Sequence, residues 1–200
     1  TADLEPTHVV PFRTNNAASY SQTIYPKDEI GKMTISSLAF NCATPDVTTT
    51  ANVKLYVGET SQESLDSSSG WVQNLTLVFD GAVTLGGEEW ENFTFNTPYN
   101  YSGEKNLVIA VSTSGTTAAN QVIMMTLKWN TVTEYDYSRS MVNSVVSSEP
   151  ADSPSPKYFR PIIRLTVVDE EGGDDESEEP EEITINGFTT LTQSISDKSI

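Results

Sequence analysis

The stretch LVIAV, residues 107–111, is apolar at every position. A β-strand turns successive side chains to opposite faces of its sheet, so a strand of this composition has both faces covered and lies centrally in a sheet. It follows the polar stretch NTPYNYSGEKN, residues 96–106, in which Gly103 supplies the backbone conformation of a turn. We therefore predict a strand that stops at Thr97-Pro98, a long turn, and then a central core strand.

Elsewhere, short segments alternate apolar and polar residues, whereas long stretches with the 3.6-residue period of a helix are missing. Val53, Leu55 and Val57 share one face of a strand predicted to end at Gly58. A strand with Leu75, Leu77 and Phe79 on one face is predicted to stop at Asp80-Gly81. Further strands are predicted near 33–42, 82–85, 90–96, 106–112, 121–130, 135–142 and 161–168.

Helix is predicted only as single turns, at 26–30 and 61–65. About eight to ten short strands separated by Gly, Pro, Asn and Asp predict an all-β fold. The specific expectation is an antiparallel two-sheet β-sandwich with little helix. The long connections around 59–71 and 143–160 favour a jelly-roll-like rather than an immunoglobulin-like arrangement.

Composition excludes several classes of function. The net charge is −17 and no stripe of Lys and Arg with interleaved aromatics is present, so binding to nucleic acid is disfavoured. No apolar run approaches the roughly 18 residues of a membrane-spanning helix. Cys42 is the only cysteine, which excludes an intrachain disulfide and a cysteine-based zinc site. His8, the only histidine, lies in a polar stretch typical of a solvated side chain.

The charge is concentrated in one tract. Ten of the 28 acidic residues lie in DEEGGDDESEEPEE, residues 169–182, which predicts a disordered, extended linker. We therefore expect a β-sandwich domain over 1–168, the linker over 169–182, and the start of a further module or a tail over 183–200. Calcium binding by the tract is an alternative, but no EF-hand-like spacing indicates it, and no cofactor is predicted.

Several segments resemble one known kind of domain. They are SYSQTIYPKDEIGK (19–32), TISSLAF (34–40), VKLYVGET (53–60), GWVQNLTLVFDGAV (70–83), FNTPYNYSGEKNLVIAV (95–111) and RPIIRLTV (160–167). In this order they resemble a β-sandwich module of adhesin-like surface and secreted proteins in Bacteroides-type bacteria. The resemblance implies an extracellular or cell-surface location and a non-catalytic part of a larger protein. The chain begins at Thr1 without a signal segment, so we expect an excised or mature piece.

Aromatic side chains are the groups with which a sandwich binds sugars, because a flat ring covers the apolar face of a pyranose. Trp71, Trp90, Tyr99 and Tyr101 lie inside the resembling segments and are assigned to the frame of the fold. The ligand-binding candidates lie outside these segments and cluster with charged residues: Trp129, Glu134, Tyr135, Asp136, Tyr137 and Arg139. Tyr158 is a further candidate, and core packing or sheet cover remains the simpler role for each ring.

Paired carboxylates are the remaining catalytic candidates. Asp28-Glu29, Glu88-Glu89 and the pair Glu134 and Asp136 contain such residues. A glycosidase needs two carboxyl groups about 5–5.5 or about 6.5–9.5 Å apart across a cleft. Adjacent acids in loops are usually solvated, so no catalytic residue is assigned. We expect a non-enzymatic module for adhesion or glycan binding, with a glycan or a surface protein as partner. The alternatives are a structural spacer without ligand and a sandwich-fold glycosidase.

Overall fold

The computed structural model describes residues 2–7, 10–65, 69–116, 121–129, 140–143, 148–150, 154–157, 159–168, 181–185 and 190–193. The strands in these ranges are β1 (Ala2–Thr7), β2 (Ala18–Tyr25), β3 (Met33–Asn41), β4 (Thr49–Thr60), β5 (Thr76–Leu85), β6 (Trp90–Tyr101), β7 (Asn106–Ser114), β8 (Met124–Trp129), β9 (Ser140–Asn143), β10 (Pro154–Lys157), β11 (Phe159–Pro161), β12 (Ile163–Val168), β13 (Glu181–Ile185) and β14 (Thr190–Gln193). One short 3-10 helix, Lys27–Glu29, follows β2. Among these residues, no helix has the length and apolar character that a membrane crossing requires.

The strands form two large sheets and one small sheet. The six-stranded sheet has the order β10-β9-β2-β7-β4-β5, and the five-stranded sheet has the order β14-β13-β12-β3-β6. A three-stranded sheet, β1-β8-β11, completes the fold. Adjacent strands are antiparallel, and the main core takes its side chains from both large sheets. The all-β sandwich-like class is therefore confirmed, with more strands than the eight to ten expected and with the small sheet in addition.

β7 is the central strand that the opening stretch predicts. It lies between β2 and β4, and its inward side chains Leu107, Ile109 and Val111 belong to the main core. Val108 points the other way and is also fully buried, in a second cluster with Ile24 and Leu65. Both faces of the strand are covered, which is why none of its five central residues needs to be polar.

The turn before β7 is confirmed, but the strand before the turn is longer than predicted. Gly103 has φ +72°, and a Cβ there would lie 2.8 Å from the backbone nitrogen of Lys32, so only glycine fits without strain. β6 continues through Thr97-Pro98 to Tyr101. It is an edge strand, and its register against β3 shifts opposite this stretch, so a proline that cannot donate is tolerated.

Two other predicted strand ends are wrong. β4 continues through Gly58 to Thr60, and β5 runs without interruption through Asp80-Gly81 to Leu85. A Cβ on Gly58 would lie 2.5 Å from the Leu75 side chain, and one on Gly81 would lie 3.2 Å from the Phe79 ring. A neighbouring apolar side chain thus occupies the space above each glycine and keeps the strand covered.

The predicted helical turns have different outcomes. Residues 26–30 contain the 3-10 helix as expected, whereas residues 61–65 form no helix. The Asn106 side-chain amide donates to the carbonyl of Gln62 at 2.8 Å, which holds this segment extended across the end of β7. β2 was not among the predicted strands. Of the strand predicted at 135–142, residues 140–142 lie in β9 and residues 135–139 lie outside the described residues.

The end of the acidic tract belongs to the five-stranded sheet. Glu181–Ile185 form β13, which pairs with β12 so that Ile185 lies opposite Ile163 and Ile183 opposite Leu165. This alternation buries Ile185 in the main core. Residues 169–180, 186–189 and 194–200 lie outside the described residues. The linker over 169–182 and the further module or tail over 183–200 therefore stay predictions.

Candidate functional site

The ligand-binding candidates taken from the sequence fall largely outside the described residues. The backbone of Trp129 ends β8, opposite Ala2 of β1. Residues 134–139, which hold the other five candidates, and Tyr158 are not described. Their grouping therefore stays a prediction, and the candidate site below is built from other residues.

The outer face of the six-stranded sheet presents tyrosines on either side of β7. Tyr20 of β2 and Lys54 of β4 both lie opposite Ser112, while Gln22 and Tyr56 both lie opposite Ala110. Directly opposed residues point to the same face. The two β7 side chains are small, so the longer side chains of β2 and β4 rise on both sides of the strand.

A segment that we call the strap, residues 61–65 and 69–75, crosses this outer face. The Gln22 carboxamide makes two hydrogen bonds to one residue of the strap, Val72. Its Nε2 donates to the Val72 carbonyl at 2.9 Å, and its Oε1 accepts the Val72 N–H at 2.9 Å. Leu65 packs in the second buried cluster with Ile24 and Val108. The hydrogen bonds from the Gln22 side chain and the apolar packing of Leu65 together fix the strap to the sheet.

The strap sets an indole ring against Tyr20. The ring centres of Trp71 and Tyr20 lie 5.1 Å apart at 76°, an edge-to-face contact. Burial raises the pKa of the Tyr20 phenol above its ordinary value, with Tyr56 and Glu149 contributing and the hydrogen bond from Gln22 opposing. The buried Tyr20 ring thus supports the indole from the side of the sheet.

Tyr56 and Leu77 continue the apolar surface away from the strap. They are cross-strand neighbours, Tyr56 is half-buried, and 45% of the Leu77 side chain is exposed. Beside them Lys54 and Asp80 form an ion pair at 3.4 Å. We define Tyr56, Trp71 and Leu77, together with the buried Tyr20 ring that contacts Trp71, as the tyrosine platform. A surface of this kind offers rings for stacking and has charged groups at its rim for hydrogen bonding.

The outer face of the five-stranded sheet is arranged differently. The Arg164 guanidinium carbon lies 4.8 Å from the ring centre of Trp90, and Arg164 also pairs with Glu182 at 3.1 Å. This cation–π contact covers a face of the indole that a ligand would otherwise use. Trp90 is therefore occupied within the fold, as its assignment to the frame predicts.

Two of the described carboxylates, those of Glu29 and Glu91, occupy structural positions. Glu29 accepts two hydrogen bonds from the buried guanidinium of Arg160, at 3.0 and 2.8 Å. Glu91 is buried and accepts the N–H of Gly86 at 2.6 Å, and burial raises the pKa of its carboxyl group. Glu88 and Glu89 are exposed. Within the described ranges, no group of three or more His, Cys, Asp or Glu side chains is placed to hold a metal ion.

No model of a known protein family matches the sequence, and no curated protein matches it. The fold defines the chain as an all-β, sandwich-like domain, and its function must be argued from its side chains. Sequence reasoning missed Tyr20, Tyr56 and Leu77, and placed Trp71 only in the frame. The available signal was the outward position of Tyr56 between the inward residues Leu55 and Val57.

Proposed function

We propose that the chain is a non-catalytic β-sandwich module that serves adhesion or glycan binding within a larger secreted or cell-surface protein. The tyrosine platform is the observation that carries this proposal. Its rings are held by the strap and by the sheet. The protein therefore loses little additional conformational freedom when a ligand stacks on them. The extracellular location belongs to the same proposal and rests on the sequence resemblance.

The chemistry of the platform favours a saccharide. Tyr56 and Leu77 offer apolar surface that matches the C–H face of a pyranose, while Lys54 and Asp80 lie beside them to bind hydroxyl groups. A site of this size gives a modest affinity, with Kd between about 1 μM and 1 mM, or about −4 to −8 kcal/mol. Repeated modules in one polypeptide would raise the overall affinity by avidity.

A glycan array followed by calorimetric titration tests the proposal. Tyr56→Ala should weaken binding of the glycans found by about tenfold, because it removes the central ring of the platform. Trp90→Ala is the matched control, since it removes an aromatic ring from the other outer face and should leave the affinity unchanged. Melting temperatures of both variants separate a loss of contact from a loss of folding.

Three results would contradict the proposal. If no glycan or surface protein binds, the chain acts as a spacer. If Trp90→Ala weakens binding and Tyr56→Ala does not, the ligand lies on the other sheet. If the protein releases reducing sugar from a bound glycan, the module is a glycosidase and the non-catalytic assignment fails.

A further inference from the structure

A second group of polar side chains lies on the inward face of β2, at the β9–β10 side of the sandwich. The Arg13 backbone N–H donates to Ser19 Oγ at 3.3 Å, and Ser21 Oγ donates to the carbonyl of Pro11 at 2.9 Å. These bonds place residues 11–13 along the inward face of β2. Ser19 also shares a hydrogen bond of 2.6 Å with Thr113 of β7, so the interior is hydroxyl-rich here.

The sheet register brings a lysine to the same face. Lys157 of β10 lies opposite Ser140 of β9, which lies opposite Thr23 of β2. Opposed residues share a face, and Thr23 shares its face with Ser19 and Ser21 because side chains alternate along a strand. Lys157 therefore emerges on the side of the sheet that residues 11–13 cover.

Arg13 and Lys157 have no anionic partner within the described residues. Other cations there do have such partners: Lys54 pairs with Asp80, Arg160 with Glu29 and Arg164 with Glu182. The Nε atom of Arg13 is buried and makes no hydrogen bond, and the Oδ1 atom of Asn15 is in the same situation. A buried polar atom without a partner costs more free energy than an ordinary hydrogen bond returns, so each calls for an explanation.

The two cations also act on each other. Burial lowers the pKa of the Lys157 ammonium, and the positive charge of Arg13 lowers it further. A bound anion would relieve both the repulsion and the unmatched guanidinium N–H.

We propose that Arg13 and Lys157 bind an oxyanion, the carboxylate or sulfate ester of an acidic glycan. The planar guanidinium offers Nε and Nη donors to two oxygens at once, while the ammonium contributes a point charge. The naming of a glycan rests on the function proposed above, whereas the oxyanion site itself does not.

Inorganic sulfate is the first probe, because it isolates the oxyanion site from any sugar contact. In calorimetric titration at constant ionic strength, Arg13→Gln and Lys157→Gln should each weaken sulfate binding by about tenfold or more. Arg13→Lys keeps the charge and loses the planar fork, so its affinity for sulfate should fall between that of the unaltered protein and that of Arg13→Gln. Lys105→Gln is the matched control: it removes one positive charge from an exposed side chain in the turn before β7 and should change nothing.

Melting temperatures show whether each variant is folded. If Arg13→Gln does not fold, Lys157→Gln and Arg13→Lys carry the test alone. Sulfate that does not bind the unaltered protein, or that binds all variants equally, overturns the site.

Oligosaccharides then identify the source of the oxyanion. A uronic-acid oligosaccharide and a sulfated oligosaccharide are compared with their neutral parent, and at least one should bind more tightly in a manner that Arg13→Gln removes. One outcome overturns this inference and keeps the proposed function. In that outcome the neutral oligosaccharide binds and Tyr56→Ala abolishes its binding, while the acidic group adds no affinity and sulfate does not bind. If sulfate binds and no glycan binds, the oxyanion site is supported and the proposed glycan-binding function is contradicted.

Discussion

The two outer faces of the sandwich are covered in different ways. On the six-stranded sheet the strap crosses β2 and β7, held by two hydrogen bonds between Gln22 and Val72. On the five-stranded sheet, Arg164 lies over Trp90 and pairs with Glu182. In the first arrangement Tyr20 of the sheet supports the Trp71 ring of the strap. In the second, the Trp90 ring itself packs under Arg164 and helps to cover the sheet. An aromatic ring remains available to a ligand only where other groups, such as the strap, cover the sheet.

The largest effect is expected in the core that both faces share. Ile109→Ala should reduce the free energy of unfolding by about 2–5 kcal/mol, because Ile109 is only 2% exposed on the central strand. Chemical denaturation measures it. Glu104→Ala, an exposed residue in the preceding turn, is the control and should stay within about 0.5 kcal/mol. Similar small effects from both would mean that β7 is not central.

A smaller but local effect is expected at the strap. Gln22→Ala removes both hydrogen bonds to Val72, so the free energy of unfolding should fall by about 1–3 kcal/mol. Hydrogen exchange of the Val72 amide should accelerate more than that of the β7 amides, because the strap loosens before the sheet. Gln73→Ala is the matched control, since that exposed amide bonds only to the carbonyl of Trp71. Equal exchange in both variants would show that Gln22 does not hold the strap.

The smallest effect is expected on the five-stranded sheet. Arg164→Gln breaks the ion pair with Glu182, and surface pairs of this kind contribute about 0–1 kcal/mol. Its main consequence should be optical: the Trp90 ring loses its cover, and a difference in tryptophan fluorescence that Trp90→Phe abolishes would show it. A loss of stability as large as that of Ile109→Ala would contradict the assignment of this ion pair to the surface of the sheet.

The strands that sequence predicted best are those whose own residues decide their burial. β7 was recognisable because LVIAV admits only a position covered on both faces. The ends predicted at Gly58 and Gly81 were wrong because Leu75 and Phe79 fill the space beside those glycines, a fact that depends on neighbours in space. Pro98 was taken as a stop because its tolerance on an edge strand depends on sheet order, which local sequence does not encode.

The candidate site was harder to predict than the fold. Trp71 was assigned to the frame because it lies inside a resembling segment, and its contact with Tyr20 joins residues about 50 positions apart. Tyr56 resembles any half-buried tyrosine on a strand until the register sets it beside Ala110 and Leu77. A surface assembled by cross-strand neighbours and a strap becomes visible only when strand order is known.

The central claim is that ligands bind the outer face of the six-stranded sheet at the tyrosine platform. Chemical-shift mapping of the isotope-labelled chain, titrated with the oligosaccharides selected by the array, tests it most directly. We predict that the largest shifts fall on the Trp71 indole N–H, the Tyr56 ring and the Leu77 methyl groups, with the Trp90 indole unaffected. Shifts centred on Trp90 and Arg164, or no shifts at saturating oligosaccharide, would contradict it.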